Sequence, residues 1–289
     1  MVDSASSVSA VASEAKPHDA PSLVPMATAA FFDLDKTIIA KSSVLAFGRP
    51  FYREGLLSKR AIVQSAYAQV VFMLVGADEG KMEKLRVAML DMIRGWNRDH
   101  VATIVREALE EVVTPIIFAE ALELIAEHQA AGRRVVIVSS APEEVVAPLG
   151  DFLGVDEVIA TRAEVDDTGA YTGELSYYGY GPHKAEAIQE LAAREGIDLT
   201  GSFAYSDSVT DEPMLRAVGN PVVVNPDREL ARIARDEEWP VRHFVRPVRL
   251  RDRVPVPPKP ALAVTGVVAA AGAGAVVWWL LRKKERQAA

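Results

Sequence analysis

The run "RRVVIVSS", residues 133–140, constrains this chain most. Val135, Val136, Ile137 and Val138 form a continuous β-branched stretch of strand length. Such a stretch belongs to a strand buried on both faces, which is the habit of parallel sheets flanked by helices. Its surroundings agree. "ALELIAEHQAAG" before it has helical spacing, with Leu122, Ile125 and Ala126 expected on one face and Gly132 as the stop. "TAAFFDL", "EVIAT", "GSFAYSD" and "NPVVVNP" read as further strands. "HKAEAIQELAAREG" reads as an amphipathic helix ending at Gly196, and "AEVDDTGAYTGEL" as a hairpin turning at residues 166–169. The alternation predicts an α/β fold over residues 28–241, with a Rossmann-like doubly wound parallel sheet.

The alternation breaks once. Residues 41–113 hold no convincing buried strand and several helical patterns. "AIVQSAYAQVVFMLVG", residues 61–76, is too short to span a bilayer and is interrupted by Gln64, Ser65 and Gln69. It is expected to be a buried helix of an inserted helical cap. The core is then expected over residues 28–40 and 114–241. A cap inserted after the first strand lies over the strand ends, where doubly wound folds bind ligands.

Both termini differ from this body. Residues 1–27 are rich in Ser, Ala and Pro and lack the basic and apolar regions of a secretory signal; a disordered leader is expected. Residues 242–260 form a basic, Pro-rich linker. "ALAVTGVVAAAGAGAVVWWLL", residues 261–281, has no charge over 21 residues. As a helix it would be about 31 Å long, the thickness of a bilayer core. A C-terminal transmembrane helix is expected there, followed by the basic tail 282–289. The simplest topology leaves the body in the cytoplasm, although the cluster "RKKER" argues for the reverse.

The charge is divided. The chain carries a net −8, yet residues 242–289 hold ten Lys and Arg against Asp252 and Glu285. The body is therefore strongly acidic, which argues against nucleic acid as the main partner. There is no Cys, which excludes disulfides, thiolate chemistry and Cys-held metals.

The chemistry concentrates at predicted strand ends. "AAFF" runs straight into Asp33, and Asp35 follows two residues later. A carboxylate beside a phosphate is repelled unless a cation intervenes, so the pair suits Mg²⁺. Taken alone, "DLDKT" also fits an Asx-capped surface turn. Three further features share its pattern. Ser139 and Ser140 end the second apolar strand with hydroxyl and N–H groups suited to a phosphate. Lys184 opens a helix, where the macrodipole alone disfavours a cation. Asp207 and Asp211 end a strand in "FAYSDSVTDEPML".

These four features in this order resemble the motifs of the haloacid dehalogenase superfamily, and the insertion resembles the cap of its phosphoserine phosphatase-like branch. The resemblance covers about residues 28–235. It implies a phosphomonoester hydrolase with Asp33 as nucleophile and Asp35 as general acid and base. It implies Mg²⁺ held by Asp33, the Asp35 carbonyl, Asp207 and Asp211, and phosphate held by Ser139, Ser140 and Lys184. Ser206 and Ser208 flank Asp207 where the family commonly has Gly-Asp-Gly or Gly-Asp-Ser. Phosphoserine phosphatases carry a Glu nine residues after the nucleophile; here that position is Ser42, beside Lys41, which points away from phosphoserine. The apolar cap and tail suggest a lipid-linked or membrane-proximal phosphomonoester instead. A phosphotransferase using the same aspartyl-phosphate and a membrane-tethered, non-catalytic interaction protein are the alternatives. A dehalogenase has no use for the acid and base of Asp35, and an ion pump needs many membrane spans.

Overall fold

The computed structural model describes residues 27–58 and 79–245, with the side chains of residues 79–85 outside that description. The expected leader up to residue 26, the expected helix at residues 61–76, the linker beyond residue 245, the transmembrane segment and the basic tail lie outside the described residues. Among the described residues, no helix is long and apolar enough to cross a membrane.

A seven-stranded sheet organises the body: β1 (Ala29–Phe32), β2 (Arg134–Pro142), β3 (Glu157–Val165), β4 (Tyr171–Tyr177), β5 (Phe203–Ser206), β6 (Asn220–Val224) and β7 (Val241–Arg242). Its order is β4-β3-β2-β1-β5-β6-β7. All pairings are parallel except β3 with β4. The chain winds outward from β1 in both directions, the doubly wound arrangement that the alternation predicts.

β1 shows why so short a strand holds the centre. Its four side chains are fully buried. Alternate residues face opposite sides of a strand. Ala30 and Phe32 join one core cluster with Ile137, Leu124 and Val145, whereas Ala29 and Phe31 join a second with Val136, Val138, Ile188 and Leu191.

The helices cover both faces. Those of the core include α5 (Ala119–Ala130), α6 (Glu143–Leu153), α7 (Pro182–Glu195), α8 (Glu212–Arg216) and α9 (Arg228–Asp236). The buried face of α5 is Ala121, Leu124, Ile125 and His128. The expected face was Leu122, Ile125 and Ala126, and Ala126 is in fact exposed. The spacing was right and the stripe was rotated: His128 extends it because its Nε2 finds the Tyr205 hydroxyl at 2.8 Å inside the core. α7 begins with Pro182 and ends before Gly196, whose φ of 69° is the left-handed conformation that stops a helix at little cost to glycine.

The described part of the insertion is helical: α1 (Ser43–Ala46), α2 (Gly48–Arg53), α3 (Glu79–Ile93) and α4 (Arg98–Val113). The β3–β4 hairpin is joined to it. Gly95 N–H donates to Tyr171 O, Tyr171 N–H to Trp96 O and Arg98 N–H to Gly169 O, each at 2.9 Å. "EVIAT" and the first arm of the predicted hairpin are thus one nine-residue strand, which outruns the sheet to reach the cap.

The body also extends past the boundaries read from composition. Ala27 bridges Ile197, Arg242 lies in β7, and Phe244 is buried against Phe118 with ring centroids 5.8 Å apart.

Candidate active site

Register assembles the site. Phe32 pairs with Ile137 on one side and Tyr205 on the other, so the next residues, Asp33, Val138 and Ser206, stand level at the C-terminal edge. Asp33 N–H donates to Tyr205 O at 2.9 Å, which fixes the strand end. Ser139 and Asp207 lie one residue further along their strands.

The Lys184 ammonium closes the cluster. It donates to Asp33 Oδ1 at 2.6 Å and to Asp211 Oδ2 at 2.8 Å, and Ser206 Oγ donates to the same Asp211 oxygen at 2.7 Å. Asp33, Lys184, Asp207 and Asp211 are all buried. A lysine at a helix start, against the dipole, is explained by the two carboxylates it meets. Lys36 reaches Asp207 from solvent at 3.5 Å. Its φ of 61° is a left-handed conformation, unusual for a side chain of this size.

Asp33 and Asp211 share the buried Lys184, whereas Asp207 has only the exposed Lys36. Burial pushes Asp33 upward, Lys184 pulls it back, and Asp211 and Asp207 raise it again. Asp207 is pushed up to about 6, chiefly by burial. Asp35 is raised too, again chiefly by burial, against the hydrogen bond from Ser43 N–H to its Oδ1 at 2.9 Å. That bond ties Asp35 to the first turn of the cap, and Lys184 acts electrostatically on both Asp35 and Asp33.

The two serines are placed differently. Ser139 is buried, with Oγ accepting from Ala141 N–H at 3.1 Å. Ser140 has an exposed side chain, and its carbonyl accepts from Thr161 Oγ1 at 2.8 Å. Register, rather than a hydrogen bond, brings them to the edge beside Asp33. Gly179 N–H donates to the same Thr161 Oγ1 at 3.1 Å, and a Cβ on Gly179 would stand 2.7 Å from Ser139 O.

Other supporting residues carry weak sequence signals. Asp227 N–H donates to Asp207 O at 2.8 Å, and Asp227 Oδ2 accepts from Val209 N–H at 2.8 Å. The Asn-Pro-Asp turn after β6 was its only mark. Ser206 was visible beside Asp207, but not as the partner of Asp211.

Hard oxygen donors in excess of buried cations are the chemistry that suits Mg²⁺. Among the described residues, no three acidic or histidine side chains converge into a ready-made metal cage. Mg²⁺ commonly keeps waters and takes one or two carboxylates plus substrate phosphate, so Asp33 and Asp207 suffice for the fit.

A doubly wound parallel sheet with a Lys–carboxylate cluster at the C-terminal edge of its strands has the arrangement that suits phosphoryl transfer. Residues 30–216 match the model of the haloacid dehalogenase-like hydrolases. The chain belongs to that family. It is 54% identical over 258 residues to a probable phosphatase of Mycobacterium tuberculosis, covering 89% of this chain and 90% of that one. A phosphoserine phosphatase of the same organism is 34% identical, with coverage of 93% and 86%. A histidinol-phosphatase of Neisseria meningitidis is 31% identical, with coverage of 76% and 100%. A crystal structure of a protein of unknown function from Bordetella pertussis shares the fold with a TM-score of 0.66 and 27% identity, over 75% of this chain and 98% of that one. A phosphoserine phosphatase structure holding a phospho-aspartyl intermediate analogue aligns with a TM-score of 0.54 at 20% identity, over 76% and 93% of the two chains, and shows the fold alone. The chain is a phosphatase-like hydrolase of this family.

Proposed function

We propose that the protein hydrolyses phosphomonoesters through an aspartyl-phosphate on Asp33. The observation that carries this reading is Lys184 Nζ held between Asp33 and Asp211 at the end of β1. An Asp33 oxygen attacks phosphorus, a P–O bond forms to the enzyme, and the bond to the alcohol oxygen breaks. Asp35 gives that oxygen its proton. Its raised pKa favours the protonated form this step requires. Asp35 then takes a proton from the water that attacks phosphorus, which releases phosphate and restores Asp33. Lys184, the Ser139 hydroxyl and the Ser140 N–H hold the phosphoryl oxygens. Mg²⁺, held by Asp33, the Asp35 carbonyl and Asp207 with Asp211 in support, supplies charge neutralisation when bound.

We infer the substrate class from two relatives, a phosphoserine phosphatase and a histidinol-phosphatase. Phosphoserine and histidinol phosphate are both phosphorylated amino alcohols, and we take that as the class for this chain. The lipid-linked phosphomonoester expected from the tail gains no support from these relatives. Residues 261–281 still have the length and lack of charge of a membrane anchor, and we propose that they hold the body at a membrane. Fractionation of the full chain against a chain ending at residue 260 tests that: both in the soluble fraction rules the anchor out.

The test of the activity is phosphate release with Mg²⁺ from a panel that includes phosphoserine, histidinol phosphate, lysophosphatidate and p-nitrophenyl phosphate. Hydrolysis abolished by Asp33→Asn is expected. Inactivity of the wild type across the panel would favour the non-catalytic alternative. A phosphorylated alcohol formed from added acceptor would favour the phosphotransferase.

A further inference from the structure

The loop that joins β4 to α7, residues 178–181, crosses the edge where the carboxylates gather. Gly179 is buried, and a Cβ on it would meet Ser139 O at 2.7 Å. Gly181 has a φ of 58°, and a Cβ on it would stand 3.9 Å from Thr210 O. Ser139 belongs to β2 and Thr210 follows β5, the two neighbours of β1. The loop therefore passes from one side of β1 to the other, beside Asp33. Tyr180 stands between the two glycines and is tied to the first turn of α7. His183 N–H donates to Tyr180 O at 3.3 Å, and Lys184 N–H donates to Gly181 O at 3.1 Å.

Side-chain directions follow from the turn. Tyr180 N–H donates to Tyr178 O at 2.9 Å, a γ-turn centred on Gly179. The central residue faces Ser139, and the two flanking side chains close on each other. Their rings stack, with centroids 5.4 Å apart and planes 16° apart. Both tyrosines stay partly exposed. Arg86 of α3 has its Cζ 5.7 Å from the Tyr178 ring centroid, a cation–π contact that ties the pair to the helical insertion. The insertion meets the site again where Ser43 N–H donates to Asp35 Oδ1. Lys184 acts on both Asp33 and Asp35, so the leaving oxygen lies beside the turn that carries Tyr180.

We propose that the Tyr178–Tyr180 pair is the wall that receives the alcohol portion of the substrate. Tyr180 is the specificity-determining residue, and a flat aromatic or heteroaromatic ring is the group it selects. This rests on the phosphatase reading above. A tyrosine ring offers a large apolar face, and ring-on-ring contact adds to what burial alone gives. Tyr178, held by Arg86, backs Tyr180 and limits its rotation, so the face is preorganised. Gly179 lets the turn pack on Ser139, which sets the ring pair at a fixed distance from the phosphate site. Of the two phosphorylated amino alcohols above, histidinol phosphate carries such a ring and phosphoserine does not.

The experiment compares wild type, Tyr180→Leu and Tyr180→Phe on benzyl phosphate, cyclohexylmethyl phosphate, ethyl phosphate and p-nitrophenyl phosphate, in the full chain with Mg²⁺. Benzyl and cyclohexylmethyl phosphate have leaving groups of similar size and basicity and differ in the flatness of the ring. The wild type is expected to prefer the benzyl ester by at least about fivefold in kcat/KM. Tyr180→Leu is expected to lose that preference through KM, with a loss on benzyl phosphate at least about fivefold larger than on ethyl phosphate. Tyr180→Phe is expected to keep it, because the ring and not the hydroxyl makes the contact. A wild type that hydrolyses p-nitrophenyl phosphate but shows no preference for the benzyl ester overturns the assignment even if no variant folds. Equal losses on all four substrates in Tyr180→Leu overturn it too, because they mark a structural role. Loss of the preference in Tyr180→Phe moves it to the hydroxyl and overturns the stacking account. A wild type inactive on every substrate overturns the phosphatase reading itself and the assignment with it.

Discussion

Lys184 Nζ lies 2.6 Å from Asp33 Oδ1, both groups buried, on residues 151 positions apart in the chain. The contact joins the end of the central strand to the start of α7. Removing one partner of a buried pair leaves a charge without compensation, at about 3–5 kcal/mol. Lys184→Met is therefore expected to destabilise the protein by that order at pH 8 and by less at pH 5, because burial raises the Asp33 carboxyl and favours its uptake of a proton as the pH falls. Urea unfolding at the two pH values checks this; equal losses would show that the carboxylates do not carry the penalty.

The pH dependence of stability separates two buried groups of opposite sign. Asp207 rises from an unfolded value of 3.8 to about 6. The folded state then binds more protons than the unfolded chain, so its contribution falls as pH rises through that window. His128 is held down from 6.5 to about 4, first by burial and then by Arg133 and Arg242. Its contribution is present above 6.5 and is lost as pH falls toward 4. Between pH 6.5 and 4 the two act in opposite directions. Asp207→Asn should therefore steepen acid destabilisation between pH 6.5 and 4, and His128→Phe should flatten or reverse it. Melting temperatures across that range test the pair.

Asp35 must carry a proton to release the alcohol, and its carboxyl is raised by burial. Asp35→Asn is expected to lower kcat by about 10²–10⁴ for alkyl phosphates. The loss should be smaller in the first step with p-nitrophenyl phosphate, whose leaving group needs no proton. In the wild type, kcat should decline on the alkaline side as Asp35 ionises. A pH profile without that limb would remove Asp35 from the acid role.

Gly179→Ala tests the support of the phosphate site from behind. The added Cβ would meet the Ser139 carbonyl at 2.7 Å, a backbone atom with little room to give. A rise in KM for every phosphomonoester is expected, with little change in which alcohol is preferred. Unaltered kinetics would show that the Tyr178–Tyr180 loop moves instead of Ser139.

Much of this was legible because the strands announce themselves. Val135 to Val138 are buried on both faces, as their composition requires, and the apolar run of β1 stops where the carboxylate begins. The order of strand ends alone puts Asp33, Ser139 and Asp207 at one edge. What the sequence concealed were contacts made across the fold. His128 reads as a polar interruption until Tyr205 is seen beside it, 77 residues away. Glu144 reads as an ordinary acidic residue in a helix first turn, because nothing local reveals that the β3–β4 hairpin and the cap close over it. Phe244 looked like part of a basic linker because composition averages over neighbours, whereas burial is decided side chain by side chain.

The most direct measurement is the site of phosphorylation. Asp35→Asn, lacking the base that activates water, is mixed with p-nitrophenyl phosphate, whose leaving group needs no proton, and Mg²⁺, quenched in acid, and digested for mass spectrometry. The account predicts a phosphoryl increment on the peptide carrying Asp33, located at Asp33 by fragmentation and absent in Asp33→Asn. Phosphorylation at Asp35 or elsewhere, or full wild-type turnover by Asp33→Asn, would contradict it.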